Sequence, residues 1–251
     1  MDFLPFIIVC PLVFLAGFID AIAGGGGLIS LPAYMLAGLP PHLAIGTNKL
    51  SSSIGTLMAT VQYVNKGFMV WKLAIPSILF AFAGANIGSH LTLLVPDDVF
   101  MIVMLVALPL IAIYVFTVKS LSNEKEPTID RRVWSVVLAA AFFVGLYDGF
   151  YGPGTGTFLM ILLTSVAHLT IRQAAGITKA INLSSNVMSL AIFFLNGTVL
   201  LPLGLTAAVF SIAGNYFGAR SFIKRGDKIA RPAIIAVLSI FIIQVLYELL
   251  T

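Results

Sequence analysis

Residues 20–32 read "DAIAGGGGLISLP". Four glycines stand between two apolar runs, with an aspartate just ahead of them. Each Gly costs about 1 kcal/mol relative to Ala inside a helix, so this run predicts a helix that stops and another that starts. In a soluble protein such a break would suggest a phosphate loop. Here no Lys-Ser/Thr of a Walker loop follows, and no strand precedes. The rest of the chain gives the context. It has 251 residues, 59% hydrophobic and 10% charged, with a mean hydropathy of +1.06, whereas soluble domains carry about 25% charged residues. Apolar runs of roughly 20 residues, the length that spans a bilayer, recur along the whole chain. The short alternating segments of a transmembrane barrel are not the pattern. The expected fold class is all-α, a polytopic helical membrane protein.

Composition also narrows the partners. The net charge is +4, but the basic residues are scattered among apolar segments, which points to the lipid bilayer and not to nucleic acid. One cysteine, Cys10, excludes an intrachain disulfide. No Cys/His spacing suggests a metal, and no motif calls for a cofactor. The start, "MDFLPFIIVCPLVFLAGFID", lacks a basic leader and a clear cleavage site, so it reads as a retained helix.

The glycine stretch has a second copy. "GFIDAIAGGGGLISL" (17–31) aligns with "GLYDGFYGPGTGTFL" (145–159), placing Asp20 on Asp148, Gly24 on Gly152 and Gly26 on Gly154. "AIGTNKL" (44–50) aligns with "AGITKAI" (175–181), and "AGANIG" (83–88) with "AGNYFG" (213–218). The order is the same in both halves. The expected organisation is a first membrane repeat over 1–119, a charged linker over 120–131 and a second repeat over 132–251. Duplicated membrane units of this kind are common in secondary transporters.

Each half predicts an apolar segment, the glycine break, a short segment and three long segments. The long ones fall near 43–65, 72–92 and 98–119, then near 172–195, 201–222 and 229–249. At 1.5 Å per residue the short segment 28–38 covers only about half of a ~30 Å hydrocarbon core. Either it completes one crossing begun by the first segment, or the two form a re-entrant hairpin. Lys and Arg favour the hairpin. Of the 14 basic residues, all but Lys49 and Lys179 then fall on one face, whereas the crossing topology splits them evenly. Three full spans per half is an odd number, so the repeats are expected to be inverted. Both termini and the "PDD" at Asp97 and Asp98 are then expected outside, with 119–132 and 222–231 cytoplasmic.

Irregular backbone deep in a membrane is tolerated where it is buried or lines a cavity. A helix starting there points free N–H groups and a positive dipole end at the membrane centre, and an anion is the natural ligand. The expected substrate-binding turns are Gly24, Gly25, Gly26 and Gly27 in the first half and Gly152, Gly154, Thr155 and Gly156 in the second. The competing role, tight helix packing by small residues, is assigned to "AGANIG" and "AGNYFG". Lys49 and Lys179 lie inside apolar segments, where an ionisable residue is a functional hypothesis. Lys49, Ser52, Ser53 and Thr56 share one helix face, with Asn48 beside them. Lys179, Asn182 and Asn186 share another, next to Thr178 and Ser185. Asn48, Lys49, Ser52, Thr178, Lys179 and Asn182 complete the expected substrate site; the bland alternative for each lysine is snorkelling to the interface. Asp20 and Asp148 are the deep carboxylates. A structural role held by loop amides competes with a role as proton-coupling groups or as partners of the lysines.

These motifs together, "GFIDAIAGGGGLISLPAYMLAGLPPHLAIGTNKLSSSIGT" with "GLYDGFYGPGTGTFLM", resemble the sulfite exporter TauE/SafE family, also called the 4-toluene sulfonate uptake permease family. The resemblance covers both halves. It implies a plasma-membrane transporter of small sulfur-containing anions such as sulfite, sulfonates or sulfoacetate, with the turns at Gly24–Gly27 and Gly152–Gly156 matching the family's repeated motif. The lysines come from the physical argument and not from the family. The function expected is alternating-access transport of a small anion, without catalytic residues. A passive anion channel and an intramembrane enzyme acting on a lipid are the competing classes. The sequence leaves the oligomeric state open.

Overall fold

The computed structural model of the chain describes residues 3–96, 99, 129–226, 228–230, 232–237 and 239. The expected span near 98–119, the linker up to 128, Asp97, Asp98 and most of the segment near 229–249 lie outside the described residues. Eight helices carry the rest. They are α1 (Leu4–Ala23), α2 (Gly27–Leu36), α3 (Pro41–Asn65), α4 (Trp71–Leu94), α5 (Arg131–Phe150), α6 (Thr155–Ser165), α7 (Ile171–Leu195) and α8 (Leu201–Arg225). Five of them, α1, α4, α5, α7 and α8, are long and apolar enough to cross a membrane. With 25 residues α3 is as long as α7, but its polar stripe around Lys49 lowers its hydropathy. Large apolar side chains such as Leu57, Leu79, Phe143 and Val209 are exposed. In water they would be a liability; against lipid they are the expected outer surface.

Local sequence sets the helix ends. Gly24 closes α1 in the left-handed conformation, φ 75°, its N–H donating to the Asp20 carbonyl. Gly154 opens α6 with φ 81°. Asp130 caps α5 through a 2.9 Å bond from the Val133 N–H. Thr170 and Gln173 form a capping box at the start of α7. Pro40 and Pro41 begin α3, where a missing N–H costs nothing.

The two halves interlock. The most extensive packing of α1 is with α8, and that of α4 is with α5; α3 likewise meets α8 as α7 meets α4. Exchanging the halves leaves this pattern unchanged. The contacts also fix directions. Lys49 bonds Asn186, and Thr60 reaches the Lys179 carbonyl, so α3 and α7 run antiparallel. Gly214 lies against Phe14 and Gly218 against Phe18, so α1 and α8 run parallel where they touch. Gly84 and Gly88 meet α5 in the same way, at Phe142 and Leu146. These are the close crossings that "AGANIG" and "AGNYFG" predict, with a Gly every fourth residue letting backbones touch.

Charge follows from this packing. The Arg172 guanidinium at the start of α7 stacks over Phe68 of the α3–α4 loop at 5.6 Å. Tyr63, near the end of α3, stacks on Phe222, near the end of α8, at 5.5 Å. Lys66, Lys72, Arg172, Lys224 and Arg225 therefore share one end of the bundle. The Leu200 N–H donates to Thr47 at 2.9 Å, which puts the uncharged α7–α8 loop at the opposite end.

Candidate functional site

The glycine turns meet at the centre. After Gly24 the chain doubles back, so that Gly26 lies against Ala16 and Asp20 of α1. In the other half Gly156, one residue into α6, faces Gly24: a Cβ on Gly156 would sit 2.5 Å from the Gly24 Cα. The Thr157 hydroxyl ties the two turns together by donating to the Ala23 carbonyl at 2.8 Å. Gly156 also abuts the Asn182 side chain, and Asn182 is the middle of α7, twelfth of its 25 residues. Both short helices thus begin level with the middle of a long one. Only glycine permits the meeting, because both backbones occupy the space a side chain would need.

Around this junction lies a cavity of about 40 Å³, several times the roughly 10–15 Å³ that one water needs by the same measure. Its walls include Gly24, Gly26, Gly27, Asn48, Lys49, Ser52, Gly152, Thr155, Gly156 and Asn182, with Asp20 and Asp148. Four expected site residues stand elsewhere. Gly25 faces Val237, and Gly154 packs beside the Phe158 ring. Thr178 is buried with its hydroxyl unpartnered. Lys179, 2% exposed, sits behind the cavity wall.

The lysines are not free charges. Each crosses to the aspartate of the other half. Lys179 Nζ lies 2.6 Å from Asp20 Oδ2 and Lys49 Nζ 2.9 Å from Asp148 Oδ2. Lys49 and Lys179 each occupy the ninth position of their helices, so the pairs are equivalent by construction. Both ammonium groups also donate to the backbone carbonyl of the paired aspartate, at 2.6 Å for Lys49 and 2.7 Å for Lys179. That carbonyl lies in the last turn of its helix, where a cation is favoured. Snorkelling to an interface is therefore not what either lysine does. The four charges cancel, and the polar centre is electrically neutral.

Several wall residues lay beyond the expected site. Ser30, Thr56, Asn186, Ser211 and Asn215 also line the cavity. Thr56 and Asn186 were legible, since they continue the polar stripes of Lys49 and Lys179. Asn215 was hidden inside "AGNYFG", whose glycines carry the packing with α1 while its asparagine turns toward the cavity. The signal available was the lone amide among small residues. Among the described residues no cluster of His, Cys, Asp and Glu could hold a metal ion.

Comparison with known proteins places this architecture. The family model for Sulfite exporter TauE/SafE matches residues 9–245. The chain belongs to the sulfite exporter TauE/SafE family. A probable membrane transporter protein, ORF9, of a Sinorhizobium species is 36% identical over 224 residues, 89% of this chain and 85% of its own. The probable membrane transporter protein YfcA of Escherichia coli K12 is 32% identical over 236 residues, 93% and 87% of the two chains. A probable membrane transporter protein of Haemophilus influenzae is 30% identical over 240 residues, 94% and 92%. No solved structure matches the chain. Membership of the TauE/SafE family and these relatives identify a membrane transporter with a small-molecule substrate.

Proposed function

We propose that this chain is a secondary transporter of small anions, sulfur-containing ones such as sulfite or organosulfonates, in the plasma membrane. The observation that carries the reading is the meeting of the α2 and α6 N-termini at one cavity. Among the described residues, no backbone carbonyl accepts from the amides of Gly26, Gly27 or Gly156, and an anion would satisfy them. The family's name supports the sulfur-containing class.

The antiparallel crossing of α3 and α7 supports two repeats inverted in the membrane, and with them transport by alternating access. The gathering of basic residues at one end supports a cytoplasmic location for that end. Neutral packing of the lysines adds a requirement. An anion entering this site meets Asp20 and Asp148 as well as amides, so lysine charge becomes available only when an ion pair opens. A proton taken up by an aspartate would open it, coupling proton and anion.

The experiment is a binding panel of small oxyanions on purified protein, followed by anion-driven proton movement in liposomes carrying a pH dye. Sulfite or a sulfonate should bind and move protons. Asp20→Asn or Asp148→Asn should abolish the proton signal in at least one case while anion exchange persists. A panel without binders would overturn the anion reading. Unchanged proton stoichiometry in both variants would remove the aspartates from the coupling.

A further inference from the structure

The two ion pairs are equivalent in sequence position and unequal in surroundings. Asp148 is closed in. Its Oδ1 accepts from the Thr155 hydroxyl at 2.9 Å, and its Oδ2 accepts from Ser185 at 2.6 Å as well as from Lys49. The Lys49 ammonium donates to Asp148 Oδ2, to the Asp148 carbonyl and to Asn186 Oδ1. All three of its protons are therefore used.

At the other pair the hydroxyls are missing. Gly27 stands where Thr155 stands in the alignment of the turns, and Gly55 of α3 stands where Ser185 stands in α7. Among the described residues Asp20 is left with Lys179 alone as a side-chain partner, and its side chain is 18% exposed against 6% for Asp148. The space beside Gly55 is taken by Ser211 and Asn215 of α8, whose counterparts in α4 are Ala81 and Ala85. Asn215 is 2% exposed and Asn182 is 5% exposed, and both line the cavity; the Asn215 Nδ2 donates one hydrogen to the Ser211 carbonyl at 3.0 Å, which leaves its second N–H to donate to an oxyanion. Asn215 lies against Gly17, three residues before Asp20 on α1, so its amide stands on the same side as the open carboxylate, and Asn182 abuts Gly156 at the junction of the turns.

We propose that Lys49–Asp148 is a closed structural clamp, whereas Lys179–Asp20 is the pair that a bound oxyanion opens, in a chamber whose selectivity Asn182 and Asn215 set. This rests on the anion reading above and makes the site one-sided. The titratable groups that pair with Asp20, share its cavity or stand beside it among the described residues are Lys179 on α7, Lys49 on α3, Asp148 on α5 and Tyr63 on α3, whose hydroxyl donates to the Ala21 carbonyl at 2.5 Å; α2 and α8 offer only Ser30, Ser211 and Asn215 there.

The test uses the full chain in nanodiscs, with sulfite binding by calorimetry and thermal melting measured on every variant. Asn215→Ala should weaken sulfite binding about tenfold while melting close to wild type, and Asp20→Asn should tighten binding about fivefold by releasing Lys179. Asp148→Asn should melt well below Asp20→Asn. Ser185→Ala, a milder cut at the clamp should Asp148→Asn fail to fold, should lower the melting temperature and leave sulfite affinity within about twofold. The proposal is overturned if Asn215→Ala binds sulfite as wild type does, if Ser185→Ala weakens binding as much as Asn215→Ala, or if Asp20→Asn melts as low as Asp148→Asn. Were wild type to bind no sulfite, the anion reading would fail for that probe. Melting alone would then decide: a larger loss on the Asp148 side supports the division, and equal losses on both sides overturn it.

Discussion

Lys49 shows how a residue's identity can be legible while its relations are not. A lysine deep in an apolar segment is conspicuous in sequence, and its recurrence at Lys179 excludes accident. That each lysine would cross to the opposite repeat's aspartate was not legible, because the pairing depends on how α3 and α7 pass each other. The energetic consequence is specific. Removing one partner of a buried ion pair strands the other charge, at a cost of about 3–5 kcal/mol, whereas replacing both by apolar groups is often neutral. Lys49→Met should therefore destabilise the protein strongly, and the double variant Lys49→Met, Asp148→Leu should recover most of the loss. Chemical denaturation in detergent reads both. A single variant as stable as wild type would mean that the pair is not formed in the membrane.

Among the elements, the short helices were the clearest prediction. Expected after each glycine break, near 28–38 in the first half, they lie at Gly27–Leu36 and Thr155–Ser165, because four glycines and "GPGTG" leave the backbone nowhere else to break. What sequence could not supply was the contact between the two turns, since no local pattern says that Gly24 and Gly156 touch. Their approach makes a sharp test. In Gly156→Ala the new methyl would overlap the Gly24 backbone and press on the Asn182 side chain. We expect the turns to separate, with anion binding weakened by at least about tenfold and melting lowered. Gly38→Ala is the control for substituting a left-handed glycine (φ 87°) with open space around it; it carries backbone strain without the steric block and should keep anion binding. Equal binding losses in the two would show that the junction is not special. That α4 and α8 would each cross a neighbour closely was legible from their glycine spacing, but the identity of those neighbours, α5 and α1, was not, nor was the role of Asn215, because one motif serves packing and cavity at once.

For the whole molecule the arrangement of charge is the main topological argument. Lys66 and Asn196 lie in the two loops that follow α3 and α7, at opposite ends of the bundle. Single cysteines placed there should label from opposite sides of intact cells, Lys66→Cys only after permeabilisation. The one native cysteine, Cys10, is buried, so background labelling should be low. Labelling of both positions from one side would contradict the inverted arrangement. The count of basic residues made the gathering of Lys66, Lys72, Arg172, Lys224 and Arg225 at one end of the bundle readable in advance. The interlocking of the halves was not readable, since an internal repeat specifies two similar units without saying whether they stand apart or exchange helices.

We propose above that the cavity between the α2 and α6 N-termini carries a small anion across the membrane by alternating access. Counterflow in proteoliposomes tests it most directly. Vesicles preloaded with unlabelled sulfite are diluted into a trace of radiolabelled sulfite, and internal label is followed in time. We expect a transient accumulation of label above equilibrium that saturates with external sulfite and is lost in Gly156→Ala. Label that only equilibrates, linearly with concentration and without stimulation by internal sulfite, would contradict alternating access and indicate a channel.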